Sequence, residues 1–293
     1  MKKAIVLYNP LAHKGHGLNN AKKLDKIMQD TELSYVDALT VGDFAVFAEN
    51  LPSDVMLIFT GGDGTLSLAL NAIDKAKLTR PVYYFPAGSG NDFIKDLGKK
   101  ADCEPFPINE YTWGMPTVRV NGITRKFINA IGYGMDGYCC EESDRLNALG
   151  KSKSYARIAM EGILGKYEPT KAKVTVDGVT KEYKSVWMAP TMFGSYYGGG
   201  FNMGPSQDRK NPAHTVTSVT IHDIKRIPAV FMFLGVMQGK GESMKDILDY
   251  RVGHSVTVEF DRPIALQIDG ETVLNVLKYE VEAAPSEEYV HMA

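Results

Sequence analysis

The sequence predicts a two-domain protein, with an α/β domain followed by an antiparallel β-rich domain. The chain has 293 residues, which exceeds the usual size of a single domain. Up to about residue 105, short apolar runs alternate with segments of helical apolar spacing, a pattern typical of a mostly parallel sheet. After that point period-two alternation dominates. We therefore assign residues 1–110 to the α/β domain and residues 111–282 to the β-rich domain.

The central element of the first domain is a buried strand over 55–60 that leads into Gly61-Gly62-Asp63-Gly64-Thr65. Apolar residues at positions 66, 69, 70 and 73 predict a helix after this loop, with Thr65 as its N-cap. Glycine lets the chain turn sharply and lets a ligand approach the main chain. Amides at the start of a helix favour anions. The loop therefore predicts a phosphate site.

Further loops are expected at the same edge of the sheet. Strands are predicted over 3–8, 34–39 and 82–85, and the loops 9–17 and 86–92 that follow the first and last of them are also rich in glycine. In a parallel sheet the loops after the strands lie at one edge, where ligands bind. Three glycine-rich loops at one edge are a more specific signal than any one of them. The helices predicted in this domain cover 18–28, 44–50, 66–73 and 93–97.

Asp63 is the unusual residue of the central loop. A carboxylate beside a phosphate is repulsive unless it binds a cation, orders a water or takes a proton. The motif is neither a P-loop nor a dinucleotide fingerprint. Two interpretations stay open from the residues alone: a tight turn with a solvated carboxylate, or phosphoryl transfer with Mg²⁺.

The second domain contains several predicted hairpins. Asn121-Gly122, Asp177-Gly178 and Asp269-Gly270 are turn dipeptides between strand-like runs. Helices are predicted over 143–167 and 229–237.

Composition excludes several classes of protein. A net charge of −2 and a pI near 6.3 argue against a nucleic-acid binder. The three cysteines, Cys103, Cys139 and Cys140, lack metal-ligand spacing and predict free thiols in a reducing compartment. The apolar run 229–237 is far shorter than the ~20 residues that a membrane span needs. We expect a soluble, cytoplasmic protein without a transmembrane segment; the sequence indicates neither an oligomeric state nor a role for Cys139 and Cys140.

Four motifs in this order resemble the diacylglycerol kinase catalytic family, which includes bacterial soluble lipid kinases, ceramide kinases and sphingosine kinases. They are Gly61-Gly-Asp-Gly-Thr65, Pro86-Ala-Gly-Ser-Gly-Asn-Asp-Phe93, Gly132-Tyr-Gly-Met-Asp136 and Gln267-Ile-Asp-Gly-Glu271. The first motif alone would also suit NAD kinases and phosphofructokinases. The resemblance implies a Rossmann-like or phosphofructokinase-like nucleotide domain, an antiparallel β-sandwich domain, and an active site in the cleft between them. It also implies that residues 283–293 return to the first domain.

The resemblance implies roles for particular residues. Asp63 would organise Mg²⁺ and the γ-phosphate, with Asp92 either supporting the metal or capping a helix. Glu271 would be the general base, although the residues alone favour a plain hairpin-turn carboxylate. The predicted nucleotide-binding residues are Asn9, Thr40, Gly61, Gly62, Asp63, Gly64, Thr65, Gly88, Ser89 and Asn91.

The implied function is an ATP-dependent, Mg²⁺-assisted kinase that phosphorylates the hydroxyl of a neutral lipid such as diacylglycerol. We expect it to meet this lipid at a membrane surface, peripherally and reversibly. The alternatives are an NAD kinase-like enzyme and an inactive regulator that binds nucleotide or lipid. No motif identifies the lipid.

The chain departs from the family pattern in one segment. Some members carry an Asp-Asp-Gly-like segment that binds a structural Mg²⁺ next to the second domain. Here the segment is Gln207-Asp208-Arg209-Lys210-Asn211-Pro212, with Asp208 as its one acid. The sequence therefore leaves a structural metal near Asp208 open.

Overall fold

A computed structural model describes residues 2–88, 90–101, 103–151, 153–237, 244 and 246–285. The chain divides into two compact units, Met1–Trp113 and Gly114–Ala293. The predicted return of residues 283–293 to the first domain falls mostly outside the described residues. Ala283 N donates a hydrogen bond to His254 O at 2.8 Å, within the second unit.

The first unit is built on a parallel sheet, as predicted. Its described strands follow the order β2-β1-β3-β4-β5, in which the first four are parallel and the short β5 is antiparallel. The strands are β1 Lys2–Tyr8, β2 Thr31–Asp37, β3 Val55–Gly61, β4 Val82–Pro86 and β5 Phe106–Pro107. The helices are α1 Ala12–Gly15, α2 Gly17–Ala21, α3 Leu24–Ile27, α4 Phe44–Glu49, α5 Asp63–Ala76 and α6 Asp92–Asp96.

The register of this sheet brings its loops to one level. Tyr8 at the end of β1 lies opposite Thr60 of β3, and Thr60 lies opposite Phe85 of β4. The loops after β1, β3 and β4 therefore leave the same edge. Burial explains the register, because the apolar residues of β3 and the apolar face of α5 form the core: Leu57, Ile58, Leu66, Leu70 and Ile73 are all buried.

Two predicted helices of the first unit differ in the structure. Helix α5 begins at Asp63 with Gly62 as its N-cap, so the prediction of Thr65 as N-cap is wrong. Gly62 ends the strand with an extended backbone, and its carbonyl already accepts from Leu66 N at 3.0 Å. The predicted helix over 18–28 is divided into α2 and α3, because i→i+3 hydrogen bonds tighten the chain between them.

The second unit is antiparallel and β-rich, as predicted. Its main sheet has the order β7-β6-β17-β16-β8-β11-β14-β10-β9 among the described residues, with β15 on β14. Strand β9 also pairs with β16, so the path from β16 through β8, β11, β14, β10 and β9 closes on itself. The strands are β6 Thr117–Val120, β7 Ile123–Lys126, β8 Ala130–Tyr133, β9 Thr170–Val176, β10 Val179–Met188, β11 Thr191–Met192, β12 Tyr196–Tyr197, β13 Phe201–Asn202, β14 Val216–His222, β15 Leu248–Gly253, β16 Ser255–Ile268 and β17 Glu271–Glu282.

The turns of this unit agree with the sequence, whereas one helix does not. Asn121-Gly122, Asp177-Gly178 and Asp269-Gly270 all have positive φ at both residues, as tight hairpin turns require. The predicted helix over 143–167 is instead α7 Met135–Ala148, α8 Tyr155–Glu161 and a π-helical turn Gly162–Lys166. Gly150, at φ +68°, ends the path of α7.

Helix α9, Arg226–Met237, covers and extends the predicted 229–237. Within the described part of the chain, no helix is long and apolar enough to cross a bilayer.

Candidate functional site

Two glycine loops of the first unit touch through their main chains. Gly62 follows β3 and Gly88 follows the neighbouring β4. A Cβ atom on Gly88 would lie 2.3 Å from Gly62 Cα, a distance that real Cβ contacts do not reach. Ala87 N also donates to Gly61 O at 2.8 Å. Glycine is therefore required at position 88 for the loops to meet.

The carboxylate of Asp63 binds the start of α6. Asp92 N donates to Oδ2 at 3.0 Å, and Phe93 N donates to Oδ1 at 2.9 Å. Asn91, the N-cap residue of α6, has φ +52° and makes no side-chain cap bond. Asp63 thus supplies the cap from the neighbouring loop and satisfies amides that have no partner within the helix. This capping role is distinct from both the solvated turn and the magnesium ligand that the local sequence indicates.

The capacity of these residues for a metal ion differs. A carboxylate offers about four lone-pair sites, and Mg²⁺ is usually bound through one or two carboxylates together with the phosphates of a nucleotide. The carboxylate of Asp92 is buried and lies 3.6 Å from Lys95 Nζ. Among the described residues, no group of three or more His, Cys, Asp or Glu side chains could hold a metal by itself. Asp63 fits a metal that arrives with the substrate.

The other predicted nucleotide residues are brought together in part. Asn91 is buried and its Nδ2 donates to Gly88 O at 2.8 Å, so it braces the second loop. Asn9 follows β1, where its Oδ1 accepts from Leu11 N at 2.9 Å. Thr40 is exposed after β2, and its Oγ1 donates to Asp37 O at 2.8 Å. The predicted contact of Ser89 lies outside the described residues.

Thr65 has a packing role besides its predicted contact with phosphate. A Cβ on Gly61 would lie 2.5 Å from Thr65 Cβ. The Thr65 side chain therefore occupies the space over Gly61, which explains a glycine at that position.

Glu271, in the second unit, is the first residue of β17 and its side chain is 47% exposed. Its Oε2 accepts a hydrogen bond from Arg125 Nη1, which makes an ion pair. Arg125 Nη2 donates to Ile268 O at 2.9 Å. The guanidinium therefore fixes the Glu271 carboxylate against the end of β16, while leaving it accessible.

The turn before Glu271 is held by a buried carboxylate. Asp269 accepts from Ile128 N at 2.8 Å, Asn129 N at 2.9 Å and Ala130 N at 3.3 Å. These bonds fasten the turn to the chain that enters β8. The Asp269-Gly270 turn is predictable from the sequence, whereas this function of Asp269 is not, because its partners lie far away in the chain.

Asp136, which belongs to a motif but received no role from the sequence, bonds to the same turn through Gln267. Gln267 Nε2 donates to Asp136 Oδ2 at 3.1 Å, and Gln267 Oε1 accepts from Gly270 N at 2.6 Å. Burial raises the pKa of Asp136 to about 6, although hydrogen bonds from Gln267 and Tyr197 oppose the shift. The spacing Gly132-x-Gly-x-Asp136 was the signal, because a Cβ on Gly132 would lie 1.3 Å from Asp136 Oδ2.

Two weaker expectations can also be located. Cys103, Cys139 and Cys140 are free thiols, as predicted. Burial raises the pKa of Cys140 to about 12, so it is protonated and unreactive at neutral pH. Asp208 is exposed, and its Oδ1 accepts from Lys210 N at 2.9 Å within a turn.

Comparison with known proteins places this arrangement in a family. The profile described as "Diacylglycerol kinase catalytic domain" matches residues 3–109. The profile described as "YegS C-terminal NAD kinase beta sandwich-like domain" matches residues 129–288, which is more than half of the chain.

Individual relatives agree with this assignment. The chain is 24% identical over 285 residues to a diacylglycerol kinase of Bacillus subtilis, covering 92% of this chain and 90% of the relative. A crystal structure of a diacylglycerol kinase from Bacillus anthracis has a TM-score of 0.62 at 22% identity, covering 97% of this chain and 95% of that one, and shows the same fold. Together, the two profiles and these relatives show that the chain belongs to the diacylglycerol kinase family of lipid kinases.

Proposed function

We propose that the protein transfers the γ-phosphate of magnesium-bound ATP to the hydroxyl of a neutral lipid such as diacylglycerol. The observation that carries this proposal is the contact between the two glycine loops, fastened by the Asp63 carboxylate on α6. Phosphoryl transfer depends mainly on positioning and on neutralisation of charge. Loops whose main chains are fixed by these contacts suit the positioning of phosphates, and their amides suit the neutralisation of phosphate charge.

The first unit supplies the nucleotide side of the reaction. Helix α5 has 14 residues and begins within the loop, so its N-terminal amides and dipole favour phosphate there. When bound, Mg²⁺ would neutralise charge on the phosphates; Asp63 would hold it, with Asp92 as the second predicted ligand. The main-chain amides of Gly62, Gly64 and Thr65 would orient the phosphate oxygens.

The second unit supplies the base. Glu271 is accessible and stands on a turn that Asp269 and Gln267 hold rigidly. In a loose transition state the acceptor hydroxyl loses its proton late, so an ordinary carboxylate suffices. At rest, one carboxylate oxygen of Glu271 is bound to the Arg125 guanidinium. Arg125 would release this oxygen when the acceptor hydroxyl arrives.

The direct test is ATP turnover against diacylglycerol, a sphingoid base and phosphatidylglycerol in mixed micelles, with NAD as a further acceptor. We expect phosphate on a neutral lipid and none on NAD. Phosphorylation of NAD alone would replace this function with that of an NAD kinase. Nucleotide binding without turnover on any acceptor would favour the regulator.

A membrane contact is proposed from the outer face of α9. Ile227, Phe231 and Leu234 are 72%, 68% and 44% exposed, and their spacing places them on one face of the helix. The helix contains no acidic residue. Outer helix faces in water are usually polar, whereas exposed apolar faces bind membranes. We propose that this face contacts the bilayer that contains the acceptor.

The prediction is that Ile227→Ser with Phe231→Ser lowers flotation with phosphatidylcholine vesicles that contain diacylglycerol. The vesicle affinity should fall by roughly 10²-fold or more, because two large apolar side chains are each worth roughly 1.5–3 kcal/mol of burial and about 1.4 kcal/mol is tenfold in affinity. Val252→Ser is the control, since Val252 is 61% exposed on β15. Equal flotation of both variants would contradict the role of α9, and association that survives carbonate would contradict reversible binding.

A further inference from the structure

Arg209 is a buried arginine in the segment that departs from the family pattern. The whole residue is only 9% exposed. Nη1 donates to Ile128 O at 2.8 Å, and Nη2 donates to Asn129 Oδ1 at 3.1 Å. The guanidinium also lies 5.5 Å from the centre of the Phe193 ring. A buried charge is costly unless it is bonded, so these contacts fix the guanidinium firmly against residues 128 and 129.

One peptide group connects Arg209 to Asp269. Ile128 O and Asn129 N belong to the same amide, which receives Arg209 at its oxygen and donates to Asp269 Oδ1 at 2.9 Å from its nitrogen. A cation at the oxygen and an anion at the N–H polarise the amide in the same direction. Each hydrogen bond therefore strengthens the other.

The same connection continues to the proposed base. Asp269 is the first residue of the two-residue turn, and Glu271 directly follows the turn as the first residue of β17. The turn cannot rotate without breaking the bonds from Ile128, Asn129 and Ala130 to Asp269. Arg209 bonds to the same segment through Ile128 O and Asn129 Oδ1. The direction of the Glu271 carboxylate thus depends on a guanidinium that does not belong to its hairpin.

We propose that Arg209 is a positioning residue for Glu271, and that its guanidinium takes the structural place of the divalent cation that the family resemblance implies for this segment. The inference rests on the proposed function of Glu271. The segment suits a metal poorly, since its one acid, Asp208, is exposed and bonded to Lys210 N. Within the described residues no group of acids and histidines gathers there.

Arg209→Met tests the positioning role, with Arg251→Met as the matched control. Arg251 also donates to strand carbonyls of the second unit, Val174 O at 3.0 Å and Val176 O at 3.5 Å, which belong to the hairpin of the Asp177-Gly178 turn. For Arg209→Met we expect a fall in kcat of roughly 10–100-fold, because small misplacements of reacting groups are costly. The KM for ATP should stay within about twofold. Amide hydrogen exchange of Ile128 and Asn129 should become faster.

The control separates positioning from loss of stability. Arg251→Met should lower thermal stability and leave kcat unchanged. Should Arg209→Met not fold, Arg209→Lys gives the answer, because lysine keeps the charge but loses the planar pair of donors. We expect kcat between that of the wild type and a tenth of it, with faster exchange at Asn129. Wild-type kcat and exchange in Arg209→Met, or in Arg209→Lys where Arg209→Met does not fold, would overturn the proposal.

The proposal that the Arg209 guanidinium replaces a divalent cation can be tested separately, without a measurement of turnover. Thermal unfolding of the nucleotide-free wild type should give the same midpoint in EDTA and in Mg²⁺, since an ion that binds only the folded state raises the midpoint. A saturable rise with Mg²⁺ would overturn the replacement. If the wild type phosphorylates no lipid while Arg209→Met still speeds exchange at Asn129, the proposed function fails and the structural connection stands.

Discussion

Each unit contains an aspartate that binds backbone amides of a neighbouring segment, but the two aspartates are supported differently. Asp63 bonds the start of α6, and its surroundings are main chain, with Gly62 and Gly88 in contact. Asp269 bonds residues 128–130, and two side chains bond to the adjoining main chain, Arg209 at Ile128 O and Gln267 at Gly270 N. The candidate residues of the first unit therefore depend on backbone shape, whereas those of the second unit depend on side-chain charge and hydrogen bonding.

The largest effect that would test this contrast is expected for Asp63→Asn. An asparagine looks isosteric and harmless to the fold, but both Asp63 oxygens accept amides, so its NH₂ group would face an N–H of α6. We expect turnover to fall by roughly 10²-fold or more, and unfolding free energy to fall by about 1–3 kcal/mol. Denaturant unfolding and lipid phosphorylation measure the two losses.

Asp37→Asn is the control for this substitution. Asp37 uses one oxygen to accept from Leu39 N at 2.8 Å, and asparagine is an equally good cap. Its stability should hardly change. Unchanged stability in Asp63→Asn would refute the cap, and near-normal turnover would return Asp63 to a purely structural turn.

The contrast also explains which features the sequence predicted. The glycine loops follow parallel strands, so local spacing and one topological rule place them together at one edge. Thr65 was wrongly placed as the N-cap because the path of Gly61-Gly62 depends on its contact with the loop of Gly88. Side-chain partners distant in the chain left no local signal.

In the second unit, even fewer side-chain contacts could be predicted, because the partners are distant in the chain. Asp269 bonds to residues 128–130, and Arg125 bonds to Glu271, although each pair is far apart in sequence. The hairpin turns were predictable because Asn-Gly and Asp-Gly between strand-like runs favour the positive φ that a two-residue turn requires. Glu271 itself was found through family resemblance and not through its local residues.

The second effect concerns the dependence of stability on pH. Burial raises the pKa of Asp136 from its usual 3.8 to about 6 in the folded protein. Between these values the folded protein keeps a proton that the unfolded chain has lost, so stability falls as pH rises from about 4 to about 6. The loss should reach at most about 3 kcal/mol, at 1.36 kcal/mol per pKa unit.

Asp136→Asn cannot ionise, so its unfolding free energy should not show this fall. Urea unfolding at a series of pH values from 4 to 7 would show wild type and variant converging, or crossing, as the pH rises. Parallel curves of unfolding free energy against pH for the two proteins would show that Asp136 ionises with its usual pKa, which would contradict its buried position beside Gln267.

The smallest effect is expected for Arg125→Met. The ion pair with Glu271 is partly exposed, and such pairs contribute about 0.2–1 kcal/mol. We expect a change of this size in unfolding free energy and a change in kcat of only a few-fold. Loss of turnover as large as that of Asp63→Asn would mean that Arg125 takes part in the reaction directly.

The most direct test of the division between the two units is Glu271→Gln, measured for both affinity and turnover. The substitution keeps the shape of the side chain and removes the proton acceptor. We expect lipid phosphorylation to fall by roughly 10²–10⁴-fold, while affinity for a non-hydrolysable ATP analogue stays within about twofold of wild type. A variant that loses nucleotide affinity as strongly as turnover would contradict the role of Glu271 as base, because Glu271 would then be a binding or folding residue.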